Sequence, residues 1–320
     1  MAVCCVISLI VDVMTGSAGL PAREVLQALF SPSSVSSSVR VIVWSYRLPV
    51  SLMAVVIGAA LGTAGLLMQT ILHNPLASPY TLGIGAAAGF GATLAIVLGL
   101  GTIGVSFFSF LFAMSVCGLI YVLGKRMDMS GGTFVLVGIA MLFLFQSLQA
   151  LLQYGASETQ NQSIVFWSFG SLQKSSWQNL GIAAVVTAVC LPLIYRNRWQ
   201  YNALLLGDRK AESLGVELQK LRLQSFFLVS LLAAVSVCFT GSIGFIGLAG
   251  PHIARKLVGD NASYALPASA LCGSVILSVS SIISKIIKPG LIFPIGIVTS
   301  LIGAPVFFLI IRNGKGGLKR

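Results

Sequence analysis

Two histidines stand beside helix-breaking prolines, His73 before Asn74-Pro75 and His252 after Pro251, and an imidazole so placed could ligate haem iron or another metal. Neither has a second ligand nearby, so each reads as a cap for backbone groups left open at a helix end. Six cysteines (Cys4, Cys5, Cys117, Cys190, Cys238, Cys272) lie in apolar stretches without CxxC spacing, which suits small buried hydrophobes better than metal ligands or disulfides. Of the eight acids only Asp12 falls inside an apolar run, and none occurs between Glu24 and Asp128. Coupling to protons or sodium needs an ionisable site within the membrane, so Asp12 alone would have to serve. Gly118 and Gly124-Lys125 lack phosphate-loop spacing and no Ser or Thr follows the lysine. With no HExxH and no serine, histidine and acid constellation, the chain reads as no enzyme, with no metal and no cofactor of its own. Any energy it uses is expected to come from a partner docking at its charged middle stretch.

The elements that would position such residues follow from charge. The chain has 320 residues, 56% hydrophobic and only 9% charged, and a mean hydropathy of +0.95. That composition belongs to multi-pass membrane proteins. The net charge of +12 falls in short clusters without aromatic interleaving, which argues against nucleic acid. One charged island, residues 196–222, holds Arg196, Arg198, Arg209, Lys210, Lys220 and Arg222 with Asp208, Glu212 and Glu217. Such a stretch belongs in water, and its basic excess predicts the cytoplasmic side. The chain is thus a single transmembrane unit over 1–320, with a first half of about 1–195, a cytoplasmic segment 196–222 and a second half 223–320.

The opening run Met1 to Met14 has no basic flank, which predicts no cleaved signal peptide. It is short for a span, so either Leu20 and its neighbours extend it or the true start lies upstream. Gly16 to Tyr46 reads as an outer loop with an amphipathic helix near Pro21 to Phe30. Further spans are expected at Val50–Leu72, Leu82–Leu100, Val105–Leu123, Thr133–Leu152, Leu180–Tyr195, Phe226–Thr240, a broken Ile243–Leu257, Leu266–Ile287 and Phe293–Ile311. This all-α chain of ten segments puts 14 of the 20 basic residues on the inner side, with both termini cytoplasmic. Gly58-xxx-Gly62 and Gly85-xxx-Gly89 predict close helix packing. Breaks at Asn74-Pro75 and along Gly241, Gly244, Gly247, Gly250 and Pro251 occupy matching places in the two halves, as in transporters built from inverted repeats.

Arg47-Leu48-Pro49, Gly58-Ala59-Ala60-Leu61-Gly62, Gly65, Gln69, Asn74-Pro75-Leu76-Ala77-Ser78-Pro79 and Leu82-Gly83 together resemble the permease subunits of bacterial ABC importers for iron-siderophores, haem and cobalamin, the FecCD-type family. So do Gly244-Phe245-Ile246-Gly247-Leu248 with Pro251-His252 and Arg255, Leu266-Pro267-Ala268-Ser269, and Pro294-Ile295-Gly296 with Thr299, Gly303-Ala304-Pro305 and Phe307. Leu206-Gly207-Asp208, Ala211 and Leu214-Gly215-Val216 are similar to the family's coupling segment.

The resemblance implies a ten-span type II importer permease in the bacterial inner membrane. It implies pairing with a second permease, two ATP-binding subunits below and a periplasmic binding protein above. It also implies two short coupling helices in the island, with Asp208 and Glu212 near helix starts. Iron(III) chelates such as siderophores or ferric citrate are the expected cargo, with haem or cobalamin as alternatives and an ion-coupled carrier as the competing class. Gly65, Gln69, Asn74, Pro75, Gly244, Gly247, Pro251, His252, Arg255, Pro294 and Gly296 are the expected pathway and hinge residues. Where the family often has a second arginine after Arg-Leu-Pro, this chain has Val50; where it has Ala-Asp and an arginine late in the ninth span, Ser280, Ser281 and Lys285 stand. Arg47 and Lys285 are left as the charges to meet the binding protein. A lysine makes no planar two-point contact with a carboxylate, which favours a heterodimer whose other permease carries more of the docking.

Overall fold

The computed structural model describes the backbone of residues 1–17, 19–126, 131–288 and 290–314, and the side chains of these except 124–126, 131 and 306–314. Asp128, Lys315, Lys319 and Arg320, which the expected orientation puts on the inner side, lie outside the described residues, as do the side chains of Lys125, Arg126, Phe307 and Arg312. The described residues form helices and no β-strand. In order they are α1 (Ala2–Met14), α2 (Ala22–Phe30), α3 (Ser37–Val41), α4 (Leu48–Ile71), α5 (Ile84–Val97), α6 (Gly101–Arg126), α7 (Gly131–Tyr154) and α8 (Glu158–Ser168). Then come α9 (Trp177–Arg196), α10 (Arg198–Leu204), α11 (Asp208–Ser213), α12 (Leu218–Thr240), α13 (Ile246–Val258), α14 (Ala262–Ile286) and α15 (Ile295–Gly314).

Six stretches are long and apolar enough to cross a bilayer: Ser37–Ile71, Gly101–Leu123, Gly132–Tyr154, Trp177–Arg196, Leu218–Thr240 and Ala262–Ile286. The other expected spans are helices too, but Ala2–Met14, Ile84–Val97 and Ile295–Pro305 are short and α13 carries Arg255 and Lys256. At 1.5 Å per residue a 14-residue helix rises only about 21 Å, against about 30 Å of hydrocarbon. By length and composition alone, six of the ten expected spans qualify as crossings among the described residues.

The largest departure from the expected boundaries is at the start of the second span. Its helix begins at Ser37, thirteen residues before Val50, because Ser36 caps it by accepting from the Val39 amide (3.4 Å). Pro49 has no N–H for the Ser45 carbonyl, and the helix absorbs this by widening to a π turn over Ile42–Arg47, where Leu48 donates to Val43 instead. The amphipathic α2 forms as expected, burying Val25 and Ala28. A further short helix that the sequence analysis does not predict, α8, lies between α7 and α9, with Ser157 and Gln160 forming a reciprocal capping box at its start.

The middle of the bundle is α4, 78% of whose most apolar window is buried. Its stripe Gly58, Gly62, Gly65 meets Gly273 and Ser269 of α14 and Gly247 of α13 so closely that a Cβ at any of the three would collide with a facing backbone. Ser269 and Ser274 of α14 donate to the Gly62 carbonyl (2.7 Å) and the Val55 carbonyl (2.8 Å). Small residues and interhelical hydrogen bonds take the place of the hydrophobic drive that lipid cannot supply. Gly85 and Gly89 instead make room for the Tyr80 and Gln149 side chains.

Each half holds a long helix, a break and a half-length helix. After α4, residues 72–83 turn with His73 at φ 47° and a Ser78–Thr81 capping box before α5 begins. After α12 the break is confined to 241–245, with Phe245 at φ 67°. The expected disruption across Ile243–Leu257 is thus shorter: Gly247, Gly250 and Pro251 lie within α13. The breaks meet where the Ile243 amide donates to the Tyr80 hydroxyl (3.4 Å).

Candidate functional site

The island folds as α10 and α11, followed by a turn into α12. Gly207 precedes α11 at φ 95°, ψ 157°, a region essentially restricted to glycine. Gly215 follows it at φ 85°, its amide bonding Glu212 while the Val216 amide bonds Ala211, which closes the helix in a Schellman motif. Asp208 stands at the first position of α11, whereas Glu212 falls in its last turn rather than near a helix start. Tyr201, Leu204, Ala211 and Val216 are buried beneath the island. The Tyr201 hydroxyl lies 3.0 Å from the Ser225 hydroxyl, and burial outweighs this contact in raising the phenol pKa above its usual range. On top, Leu205, Leu206 and Leu214 are about half exposed beside the exposed Arg209, Lys210 and Glu212. The result is a crest of apolar side chains ringed by charge.

This platform is bonded to the ends of two bundle helices. Arg222 Nη2 donates to both Asp208 carboxylate oxygens (2.9 and 2.8 Å), and its Nε donates to the Ile71 carbonyl at the end of α4 (3.2 Å). His73 Nε2 donates to the Leu204 carbonyl (2.8 Å) and its Nδ1 lies 3.8 Å from Asp208. Asn202 accepts from the Ala262 amide (2.6 Å) and donates to Asn261 (3.1 Å), both at the start of α14. Arg222, expected in water with the rest of the island, is only 7% exposed, with three of its five donors taken by Asp208 and by a helix-end carbonyl.

Beside it lies a cavity of about 450 Å³ whose wall includes Gln69, His73, Asn74, Pro75, His252 and Arg255, bringing the α4 break and α13 together. Pro251 leaves the Gly247 carbonyl without an intrahelical donor, and Gln69 Nε2 supplies one (3.4 Å) at the crossing of Gly65 and Gly247. The Gln69 carbonyl oxygen accepts from Arg255 Nη1, and Arg255 Nε is 3.4 Å from Asp260. His252 Nδ1 donates to Leu248 (2.9 Å). Gly244, Pro294 and Gly296 are not part of this group: Gly296 packs on Phe169 and Ser242 at the opposite end of the bundle, and Gly244 faces Ser300. Among the described residues no three His, Cys, Asp or Glu side chains gather as a metal site would require, and all six cysteines are free thiols.

At that opposite end, the placement of Arg47 and Lys285 runs against their expected role as docking charges. Lys285, 6% exposed, donates to Asp12 (2.9 Å), which is fully buried. Arg47, also 6% exposed, donates to the last carbonyls of α1, Val13 (3.2 Å) and Met14 (2.9 Å). A cation at a helix C-terminus satisfies open carbonyls and the dipole together. Both side chains therefore pin α1 to the bundle and offer no free charge to a partner. Asp12, the one acid available for ion coupling, is held in that pin.

Sequence reasoning missed Arg222 and Asn202 as anchors. Arg222 is the fifth residue of α12 and the last charge before its long apolar run, and that position at the edge of the run was the available signal for a buried partner. Asn202 carries no comparable signal.

Residues 4–313 match the model of the FecCD transport family. The chain is 32% identical to the molybdate import system permease protein MolB of Haemophilus influenzae, over 98% of this chain and 94% of that one. It is 34% identical to the Fe(3+)-citrate import system permease protein YfmD of Bacillus subtilis, over 87% and 84%. Among solved structures it is similar to an inward-facing metal-chelate type ABC transporter, with a TM-score of 0.88 and 31% identity over 98% and 97% of the two chains.

Proposed function

We propose that this chain, which belongs to the FecCD transport family, is the membrane-spanning permease of an ATP-driven importer that carries an iron(III) chelate of the citrate type. The observation that carries the reading is the island: an exposed crest of Leu205, Leu206 and Leu214 on a platform bonded to α4 through Arg222 and His73 and to α14 through Asn202. A separate ATP-binding subunit docks on the crest from the cytoplasm, with a second copy under the second permease. ATP and magnesium are held by those subunits. Closure of the ATPase pair pulls the platform, and the platform moves α4 and α14 as one body because the Gly58, Gly62 and Gly273 contacts leave no slack between them. Gln69 and Arg255 hold the cavity wall and part or reform as α4 moves against α13.

The second permease covers α7, only 6% of whose apolar window is buried, with Leu136, Phe143 and Leu151 outward. The reason for preferring a heterodimer disappears with the burial of Lys285. A substrate-binding protein docks at the far end, where the exposed Lys174 and Lys288 replace Arg47 and Lys285 as candidate contacts. The cargo assignment follows the Fe(3+)-citrate relative, and the MolB resemblance makes a metal oxyanion the second reading. In a strain deleted for this gene, radiolabelled iron(III) citrate uptake is expected to return with the intact chain and to fail with an ATPase partner lacking its phosphate-loop lysine. Uptake that persists with the dead partner would refute ATP coupling, and restored molybdate but not iron uptake would select the second reading.

A further inference from the structure

A groove of about 1080 Å³ opens between α6, α9 and α12 at the island end of the bundle. Its volume is at the upper limit of small-molecule sites, which run to about 1,000 Å³. The walls are mostly apolar, with Met114 from α6, Leu193 from α9 and Leu223 and Phe227 from α12 beside Gln219 and Gln224, whereas the rim carries Arg196 and Lys220. None of residues 205–216 lines it, so it is separate from the crest. The helices around it are outward ones: only 28% of the apolar window of α6, and likewise of α9, is covered. Arg196 ends the apolar α9, and the neighbouring Tyr195 and Trp199 are exposed, with the Arg198 guanidinium 4.7 Å over the Tyr195 ring. Exposed Tyr and Trp mark the level of lipid headgroups, so the basic rim lies there and the apolar walls lie in hydrocarbon. Glu217 lies 3.6 Å from Lys220, and both are largely exposed.

We propose that this groove holds one acidic glycerophospholipid of the leaflet on the island's side, with its acyl chains along Leu193, Leu223 and Phe227 and its phosphate between Arg196 and Lys220. Basic pockets between membrane helices select anionic headgroups in this way. The two rim bases are where the chain enters and leaves the island, Arg196 just before α10 and Lys220 in the first turn of α12. A headgroup bound by both ties the two ends of the island together. The bound lipid is therefore a structural part of the platform. The proposal depends only on the chain being a multi-pass membrane protein and stands apart from the importer reading.

The test is native mass spectrometry of the purified full chain in detergent, with phosphatidylglycerol or phosphatidylcholine of matched chains added. The intact chain is expected to retain one phosphatidylglycerol with roughly tenfold preference, two bases each favouring the anion. The variant R196Q/K220Q is expected to lose that preference, whereas K210Q, altered on the exposed crest, keeps it. Gly118→Trp, which lines the groove at a position where an added side chain meets nothing within 4 Å, narrows it and leaves the bases; it is expected to weaken the adduct and covers the case in which the double variant fails to fold. No preference in the intact chain, or the same preference in R196Q/K220Q or Gly118→Trp, would overturn the proposal.

Discussion

The Asp208 carboxylate takes both of its close hydrogen bonds from one Arg222 nitrogen, while the Nε of that arginine closes the end of α4. Replacing Arg222 by lysine supplies a charge but not a fork, so Ile71 or Asp208 loses its partner. Hydrogen bonds to charged groups contribute about 1.5–3 kcal/mol, and R222K is expected to cost about 2 kcal/mol locally. The readout is faster amide exchange in residues 198–216 with little change in the bundle. A contrasting case is Lys285 with Asp12, buried on both sides. Removing one member strands a charge and is expected to cost about 3–5 kcal/mol, whereas replacing both by apolar residues is close to neutral. Thermal unfolding in detergent should thus rank K285M well below the double variant D12L/K285M; equal losses would show that the pair is not the pin described here.

Among the elements, α4 has the least tolerance for change. Gly62 meets the Ser269 backbone, so Gly62→Leu must push α14 aside, and it is expected to abolish assembly or transport at normal expression. Ser269→Ala removes one interhelical hydrogen bond and is expected to cost about 0.6 kcal/mol, with transport retained. The glycine stripe was legible in the sequence because a four-residue spacing of small residues has one dominant use in membranes. Helix ends were legible where a proline or glycine forced them, as at His73 to Pro75 and at Gly241. They were illegible where the chain absorbed its own exception: Pro49 reads as a boundary, yet a π turn carries the helix across it. Likewise Arg47 and Lys285 looked like surface charges because a sequence does not display the helix ends and the acid that consume them.

At the scale of the whole molecule, the two breaks, the platform and the α4–α14 crossing are joined by a continuous chain of contacts from the crest to the middle of the bundle. The island's position between two halves was visible from charge alone, and its attachment was not, since Asn202, His73 and Arg222 act across 60 to 151 residues of sequence. If the crest is a docking face, Leu206→Asp should leave the chain in the membrane and stable while lowering ATPase co-purification severalfold. A charge in an apolar contact is costly only when the contact forms.

If work enters through the crest, thiol cross-linking there will show it. With Cys4 replaced by serine, a cysteine is placed at Leu206 in the assembled transporter and treated with a short bifunctional maleimide. The account predicts a cross-link to the ATP-binding subunit and transport that stops once the link forms. A cysteine at Leu206 that stays unlinked in an active complex, or that a membrane-impermeant maleimide labels from outside intact cells, would contradict it.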